Sequence, residues 1–244
     1  MAKRELIHIG TSGWHYEHWK GPFYPEDLSK QDFLDYYAEH FQTVEINNSF
    51  YQLPSEKALI RWRDSVPPGF IFAVKASRYI THMKKLKDPE EPVSIFLERI
   101  SILGEKLGPI LFQLPPKWNF NHRRLEAFLE GLHPGYRYAF EFRDSSWFDA
   151  TAYDVLCKHG ATLCIYDFAG RLSPKKVTSG LIYIRLHGPS GPYQGQYGTD
   201  ELAGWADDLL SWAKEGKEIY CYFDNDQAGY AAQDALRLKA MMEN

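Results

Sequence analysis

The sequence predicts a single (β/α)8 barrel, a TIM barrel, across residues 1–244. Three observations predict it. Eight short segments alternate apolar or aromatic residues with small or charged ones at period two, the mark of strands whose two faces differ. Helical patterns separate nearly all of them, and such alternation implies a parallel sheet. Polar residues gather near the C-terminal ends of the segments, too regularly for a set of surface strands, and the length of 244 residues is close to the ~250 typical of this fold. The clearest segment is Tyr138-Ala139-Phe140-Glu141-Phe142-Arg143, with its three aromatics on one face and Ala139, Glu141 and Arg143 on the other.

Taken in order, Leu6 to Ser12 is the first strand, with Ile7 and Ile9 outward and His8, Gly10 and Ser12 inward. A long aromatic loop follows, and Ser29 caps a helix from Lys30 to Phe41. Thr43 to Asn48 is the second strand, presenting Glu45 and Asn47, and Ser55 caps a helix through Trp62. Phe70 to Ser77 is the third, presenting Lys75 and Ser77; Ile80 to Pro92 reads as a loop, and Val93 to Leu107 as a helix. Pro109 to Leu114 is the fourth, presenting Gln113 and stopped by Pro115-Pro116, with a helix from His122 to Leu132. The fifth is the Tyr138 segment, followed by a helix from Ala150 to His159. Thr162 to Asp167 is the sixth, presenting Asp167. The stretch Ala169 to Gly180 is too short and too irregular for a crossover helix, so the sixth helix is reduced or absent. Leu181 to His187 is the seventh, presenting Arg185 and His187, and Asp200 caps the helix after it. Glu218 to Asn225 is the eighth, with Tyr222 and Asp224 inward, and an Ala-rich helix from Ala228 to Met241 closes the chain.

A net charge of −4 excludes a general nucleic-acid-binding surface and leaves only a local patch, such as Lys84, Lys85 and Lys87. The three cysteines are odd in number with no close pairing, as expected of small buried residues in a reducing compartment. No signal peptide and no apolar run of membrane length is visible, so a cytoplasmic location is expected.

Several runs match a known family. They are Gly10-Thr11-Ser12-Gly13-Trp14, Phe23-Tyr24-Pro25, Thr43-Val44-Glu45-Ile46-Asn47 through Phe50-Tyr51, Phe72-Ala73-Val74-Lys75, Thr81-His82, and Leu111-Phe112-Gln113-Leu114-Pro115-Pro116. Glu141-Phe142-Arg143 with Trp147, and Arg185-Leu186-His187-Gly188 with Tyr193, Gly195 and Tyr197, complete the set. In these runs, which span nearly the whole chain, the sequence resembles the "domain of unknown function 72" or YecE-like family. The resemblance implies a TIM barrel and leaves the activity open. It also implies a departure at Asp224, where the family often carries Asn, which weakens a carboxylate role there.

The expected mouth therefore holds Glu45, Asn47, Lys75, Ser77, Gln113, Glu141, Arg143, Asp167, Arg185, His187 and Asp224. Charges so close must be paired or ligated, because isolated buried charge is costly. One reading is a salt-bridge network that only plugs the barrel. A second is an anion site, with Lys75, Arg143 and Arg185 clamping a phosphate or carboxylate and the Gly-rich loop 188–198 offering backbone N–H groups. Glu141 and Glu45 then act as general acid and base, and His187 as proton shuttle. The substrate is a polar anion such as a sugar phosphate or a nucleotide-like molecule. No cofactor is required by this reading.

A third reading places a divalent metal on Glu45, Glu141, Asp167 and His187, with Asp224 as a further oxygen ligand, for phosphodiester hydrolysis in nucleic acid. Three nearby cations oppose it. A Schiff base on Lys75 ranks below these, because carboxylate neighbours would keep the amine charged. Non-catalytic ligand binding at the same pocket is the remaining alternative. Trp14, Trp147, Tyr193 and Tyr197 fall in loops at the mouth, where flat rings can stack on sugar or base faces. There is no Walker loop, dinucleotide fingerprint, nucleophile elbow or His-Glu-x-x-His motif.

Overall fold

The computed structural model describes residues 4–243 and has the predicted architecture. Eight barrel strands run parallel: β1 (Ile7–Thr11), β2 (Thr43–Ile46), β3 (Ile71–Lys75), β4 (Leu107–Gln113), β5 (Tyr138–Glu141), β6 (Thr162–Phe168), β8 (Leu181–Leu186) and β9 (Glu218–Phe223). A two-residue strand, β7 (Arg171–Leu172), turns back antiparallel on β6. The strand order is β1-β9-β8-β6-β5-β4-β3-β2, and a parallel bridge from Ser12 to Glu45 links the two ends. Gly10 permits that closure, since a Cβ there would lie 2.2 Å from the Thr43 carbonyl oxygen.

The outer layer comprises α1 (Phe33–His40), α2 (Glu56–Ser65), α3 (Glu90–Ile100), α4 (His122–Glu130), α5 (Ala150–Lys158), α6 (Thr199–Lys214) and α7 (Tyr230–Glu243). As expected, no helix joins β6 to β8. The hydroxyls of Ser173 and Thr178 there accept from the backbone N–H groups of Tyr166 and Leu163, both at 2.8 Å. Ser55 caps α2 by accepting from Ala58 N at 3.2 Å, as predicted. Two expectations are corrected. The Val93–Leu107 helix begins earlier, at Glu90, because Pro92 falls in the first turn, where no N–H is needed. It ends at Ile100, and a tight turn broken at Gly104 (φ 57°) follows. Asp200 is not the cap of α6; Gly198 is, with its N–H donated to the Glu201 carboxylate at 2.8 Å.

The two faces of each strand feed two cores. Outward residues such as Phe72, Val74, Phe140, Ile165, Ile184 and Phe223 pack under the helices. The inward set is Ala73, Leu111, Ala139, Cys164, Leu181, Tyr183, Tyr220 and Tyr222. Small residues on β3, β5 and β6 share this core with tyrosines from β8 and β9. Below them, Arg137, Glu218 and Tyr220 form a hydrogen-bonded plug, with His8 stacked 4.4 Å from the Tyr220 ring. Above them lies the mouth. Among the described residues no helix is long and apolar enough to cross a membrane.

Candidate active site at the barrel mouth

Arg185 organises the mouth. It sits two residues above Tyr183 on β8, so side-chain alternation points it inward, and it is fully buried. Its Nη2 donates to Glu45 Oε1 at 2.8 Å and to Asp224 Oδ2 at 2.9 Å. Its Nε donates to Glu45 Oε2 at 3.0 Å, and its Nη1 to Glu141 Oε2 at 2.9 Å. Ser12 and Tyr183 complete the shell of Glu45, donating to it at 2.5 and 2.6 Å. One guanidinium thus joins carboxylates from β2, β5 and the end of β9.

Arg143 forms a second layer. Its Nε donates to Glu141 Oε1, and its Nη2 meets His187 Nε2 at 2.9 Å. Its guanidinium carbon lies 4.8 Å from the Tyr166 ring centroid and 4.5 Å from that of Phe168. Among the described residues no acceptor meets its Nη1. Guanidinium groups only donate, so His187 Nε2 accepts, and its proton sits on Nδ1, which lies 2.9 Å from Asp224 Oδ2. Burial alone would raise the Glu141 carboxyl, but Arg143 and Arg185 outweigh it and hold Glu141 well below the usual carboxylate range. Asp224 is lowered in the same way by Arg185 and His187 against its burial.

Lys75 differs from both arginines. It ends β3 on the inward face, half-buried, with its Nζ 4.4 Å from the Phe50 ring centroid. Among the described residues it has neither a hydrogen-bond acceptor nor an ion-pair partner. Burial first, and then Arg185, lower its pKa to about 8 against the pull of Glu141, Glu45 and Asp224.

Two cavities flank this centre. One of about 510 Å³ opens where the β5–β6 ladder stops, after the Phe140–Leu163 pair. Gln113, Arg143, Phe148, Tyr166, Phe168 and Tyr193 line it. The other, of about 390 Å³, is edged by Trp14, Asn47, Arg61 and Trp62. Among the described residues the buried Asn47 Oδ1 has no hydrogen-bond partner.

The structure therefore brings together Glu45, Lys75, Glu141, Arg143, Arg185, His187 and Asp224. It places Asn47 and Trp14 at one flanking cavity, and Gln113 and Tyr193 at the other. Asp167 is a correction. Cys164 faces inward beside Glu141, so three residues on, Asp167 faces outward. There it accepts from Tyr197 Oη at 3.0 Å, and burial raises its pKa.

Trp147 and Tyr197 are also corrected, because both are buried. Trp147 Nε1 donates to the Trp118 carbonyl at 2.6 Å, and Tyr197 Oη accepts from Gly188 N at 3.0 Å, so neither ring offers a face to a ligand. The Gly-rich loop is no phosphate cradle. Its Gly188, Gly195, Tyr197 and Gly198 N–H groups go to Tyr197, Gln227, Asp234 and Glu201. The proposed metal ligands do not fit a metal either, since Glu45 and Glu141 are each spanned by guanidinium groups and Asp167 lies on the other face. Cys157 is exposed, whereas Cys164 and Cys221 are buried as expected, and all three are free. Sequence reasoning placed Ser12 inward without a role and missed Tyr166, Phe168 and Tyr183; the inward parity of Tyr183 with Arg185 was the available signal.

Comparison with known proteins places this geometry in a family. The profile described as "Protein of unknown function DUF72" matches residues 8–244. UPF0759 protein YunF of Bacillus subtilis is 26% identical over 274 residues, covering 98% of this chain and 95% of its own. UPF0759 protein YecE of Escherichia coli K12 is 32% identical over 146 residues, 59% of this chain and 50% of its own. The crystal structure of a DUF72 family protein from Thermotoga maritima superposes with a TM-score of 0.87 at 34% identity, covering 98% of this chain and 99% of that one.

Proposed function

The chain belongs to the DUF72 protein family, whose shared barrel leaves the reaction open, and from the mouth itself we propose an enzyme of acid–base chemistry on a polar anion. The observation that carries the reading is Arg143. Its guanidinium is fixed on one edge by Glu141 and His187 and from the sides by Tyr166 and Phe168, while Nη1 is left to the 510 Å³ cavity. A preorganised donor of this kind binds phosphate or carboxylate at little entropic cost. The aromatic wall of Phe148, Tyr166, Phe168 and Tyr193 then takes the ring or carbon frame of the substrate.

Glu45 and Glu141 act in this reading as fixed countercharges that aim two guanidinium groups. Their oxygens are taken up by Arg185, Arg143, Ser12 and Tyr183, so neither is free to move a proton. Lys75 is the proton-transfer group, because it titrates near neutrality and has no partner to release. His187 stands beside Asp224, with Nδ1 2.9 Å from Oδ2.

The test is calorimetric titration with a panel of sugar phosphates, nucleotides and small carboxylates, on the wild type and on Arg143→Ala. At least one phosphorylated compound is expected to bind, with a tenfold or greater loss in the variant, about 1.4 kcal/mol. Equal binding by both proteins, or no binding across the panel, overturns the reading.

A further inference from the structure

We propose that Lys75 is a covalent nucleophile whose amine forms a Schiff base with an aldehyde or ketone group of the substrate. The proposal deepens the reading above, on which it rests, and names the substrate class as an anionic carbonyl compound. Schiff-base lysines need an amine that is partly desolvated and free of a carboxylate partner. The three mouth carboxylates, Glu45, Glu141 and Asp224, all bond to Arg185, so none is left to hold an ammonium on β3. The Lys75 side chain instead lies against the Phe50 ring. Its backbone is pinned by Ser49, whose hydroxyl donates to the Lys75 carbonyl at 2.6 Å.

Arg185 favours the neutral amine, because it faces Lys75 from β8 and repels its positive charge. His82 meets the Phe50 ring edge-on, with ring centroids 5.0 Å apart. Burial, then Lys75 and Arg78, lower the His82 pKa to about 4, so at neutral pH it adds no charge to the pocket. With the Lys75 value near 8, roughly a tenth of the amine is unprotonated at pH 7.

The step balances without a co-reactant. The nitrogen lone pair adds to the carbonyl carbon, the π pair moves to oxygen, and a proton passes through solvent from the nitrogen to that oxygen to give a neutral carbinolamine. Protonation of that hydroxyl lets it leave as water while the nitrogen pair closes the C=N bond. Amine, carbonyl compound and one proton thus give a protonated imine and one water. The cation so formed draws electrons from the adjacent carbon and acidifies its C–H, so in this deeper reading Lys75 acts through its imine and not as a free proton carrier. Arg143 bonds to Glu141, which also faces Lys75, and on this proposal it takes the anionic end of the same molecule.

The experiment treats the full chain with one equivalent of glycolaldehyde phosphate, or of glycolaldehyde, in cyanoborohydride at pH 7, and locates the reduced adducts by peptide mass spectrometry. Lys75 is expected to carry the phosphorylated adduct at least tenfold above any other lysine. The Lys75→Arg protein, with an unchanged melting temperature, should lose it. Labelling of Lys75 no faster than exposed lysines, while phosphorylated compounds still bind in an Arg143-dependent way, overturns the nucleophile and leaves the anion site standing. Preferential labelling by both aldehydes at equal rates, unchanged by Arg143→Ala, supports the nucleophile and removes the anion site.

Discussion

Arg185 and Glu45 form a two-point pair at the barrel centre, with Nη2 2.8 Å from Oε1 and Nε 3.0 Å from Oε2. Both side chains are fully buried, so this is a charge pair maintained by geometry in a site that water does not screen. It also spans the fold, because Glu45 lies at the seam where β1 meets β2 while Arg185 stands opposite on β8. The pair and its branches to Glu141 and Asp224 therefore fix the mouth as one unit.

Removing the guanidinium should be costly. Arg185→Met leaves three carboxylates facing one another with their principal cation gone, and breaking a buried pair from one side typically costs about 3–5 kcal/mol. Arg185→Lys should recover little, since an ammonium cannot reproduce the fork that reaches three carboxylates. Glu45→Gln keeps the shape and leaves Arg185 two other partners, so a smaller loss of about 1–3 kcal/mol is expected. Urea denaturation measures all three, and equal stability for Arg185→Met and wild type contradicts the pair's structural role.

Trp147 separates a structural aromatic from a ligand platform. Its ring packs 4.8 Å from Phe142 and 5.0 Å from Trp118, measured between centroids. Trp147→Ala should lose about 3–5 kcal/mol of stability. Affinity for any anion found in the panel should change less than twofold at a temperature where the variant is folded. A selective loss of affinity with stability intact would return Trp147 to the binding surface.

Asp167→Asn reads the pH dependence of the outer face. Burial raises the Asp167 pKa, so the folded state holds this proton more tightly than the unfolded chain does. The contribution favours folding below the ordinary Asp value of about 3.9 and is lost as pH rises through the raised folded value. Stability of the wild type relative to the Asn variant should therefore fall between pH 4 and pH 7, measured by denaturation at each pH. The opposite slope would mean that the hydrogen bond from Tyr197 dominates the carboxyl.

The same residue shows how far the sequence could be read. Period-two alternation and position at strand ends were enough to gather Glu45, Glu141, Arg143, Arg185 and His187, because each strand's aromatic or aliphatic face marks its outside. On β6 both faces are apolar, so that marker is missing, and Asp167 was assigned by its terminal position when the parity of Cys164 puts it outside. The Tyr183 hydroxyl reaches Glu45 across the barrel, a contact between residues 138 positions apart that no local pattern encodes. The Gly-rich loop misled for a related reason. The N–H groups of Gly195, Tyr197 and Gly198 are satisfied by Gln227, Asp234 and Glu201, whose side chains reach them only in the folded chain.

Lys75→Met tests whether the mouth holds a lysine at a cost to stability. Folding lowers the Lys75 pKa from its free value to about 8, so the native state binds this proton less tightly than the unfolded chain. Below pH 8 the native protein bears the full cost of the poorly solvated ammonium. The cost fades as pH rises from about 8 toward the free value of about 10.4, where both states are neutral. Methionine has similar length and no charge, and it can lie against Phe50 as the lysine stem does. The variant should thus be more stable than wild type at pH 7, on the order of 2 kcal/mol, with the gain shrinking by pH 10. Urea denaturation at the two pH values gives the comparison. A destabilised variant at pH 7 would mean that the ammonium is held by the carboxylates after all. A stabilised one marks a residue that folding alone would discard, and such a residue at the C-terminal mouth of a barrel is placed for chemistry.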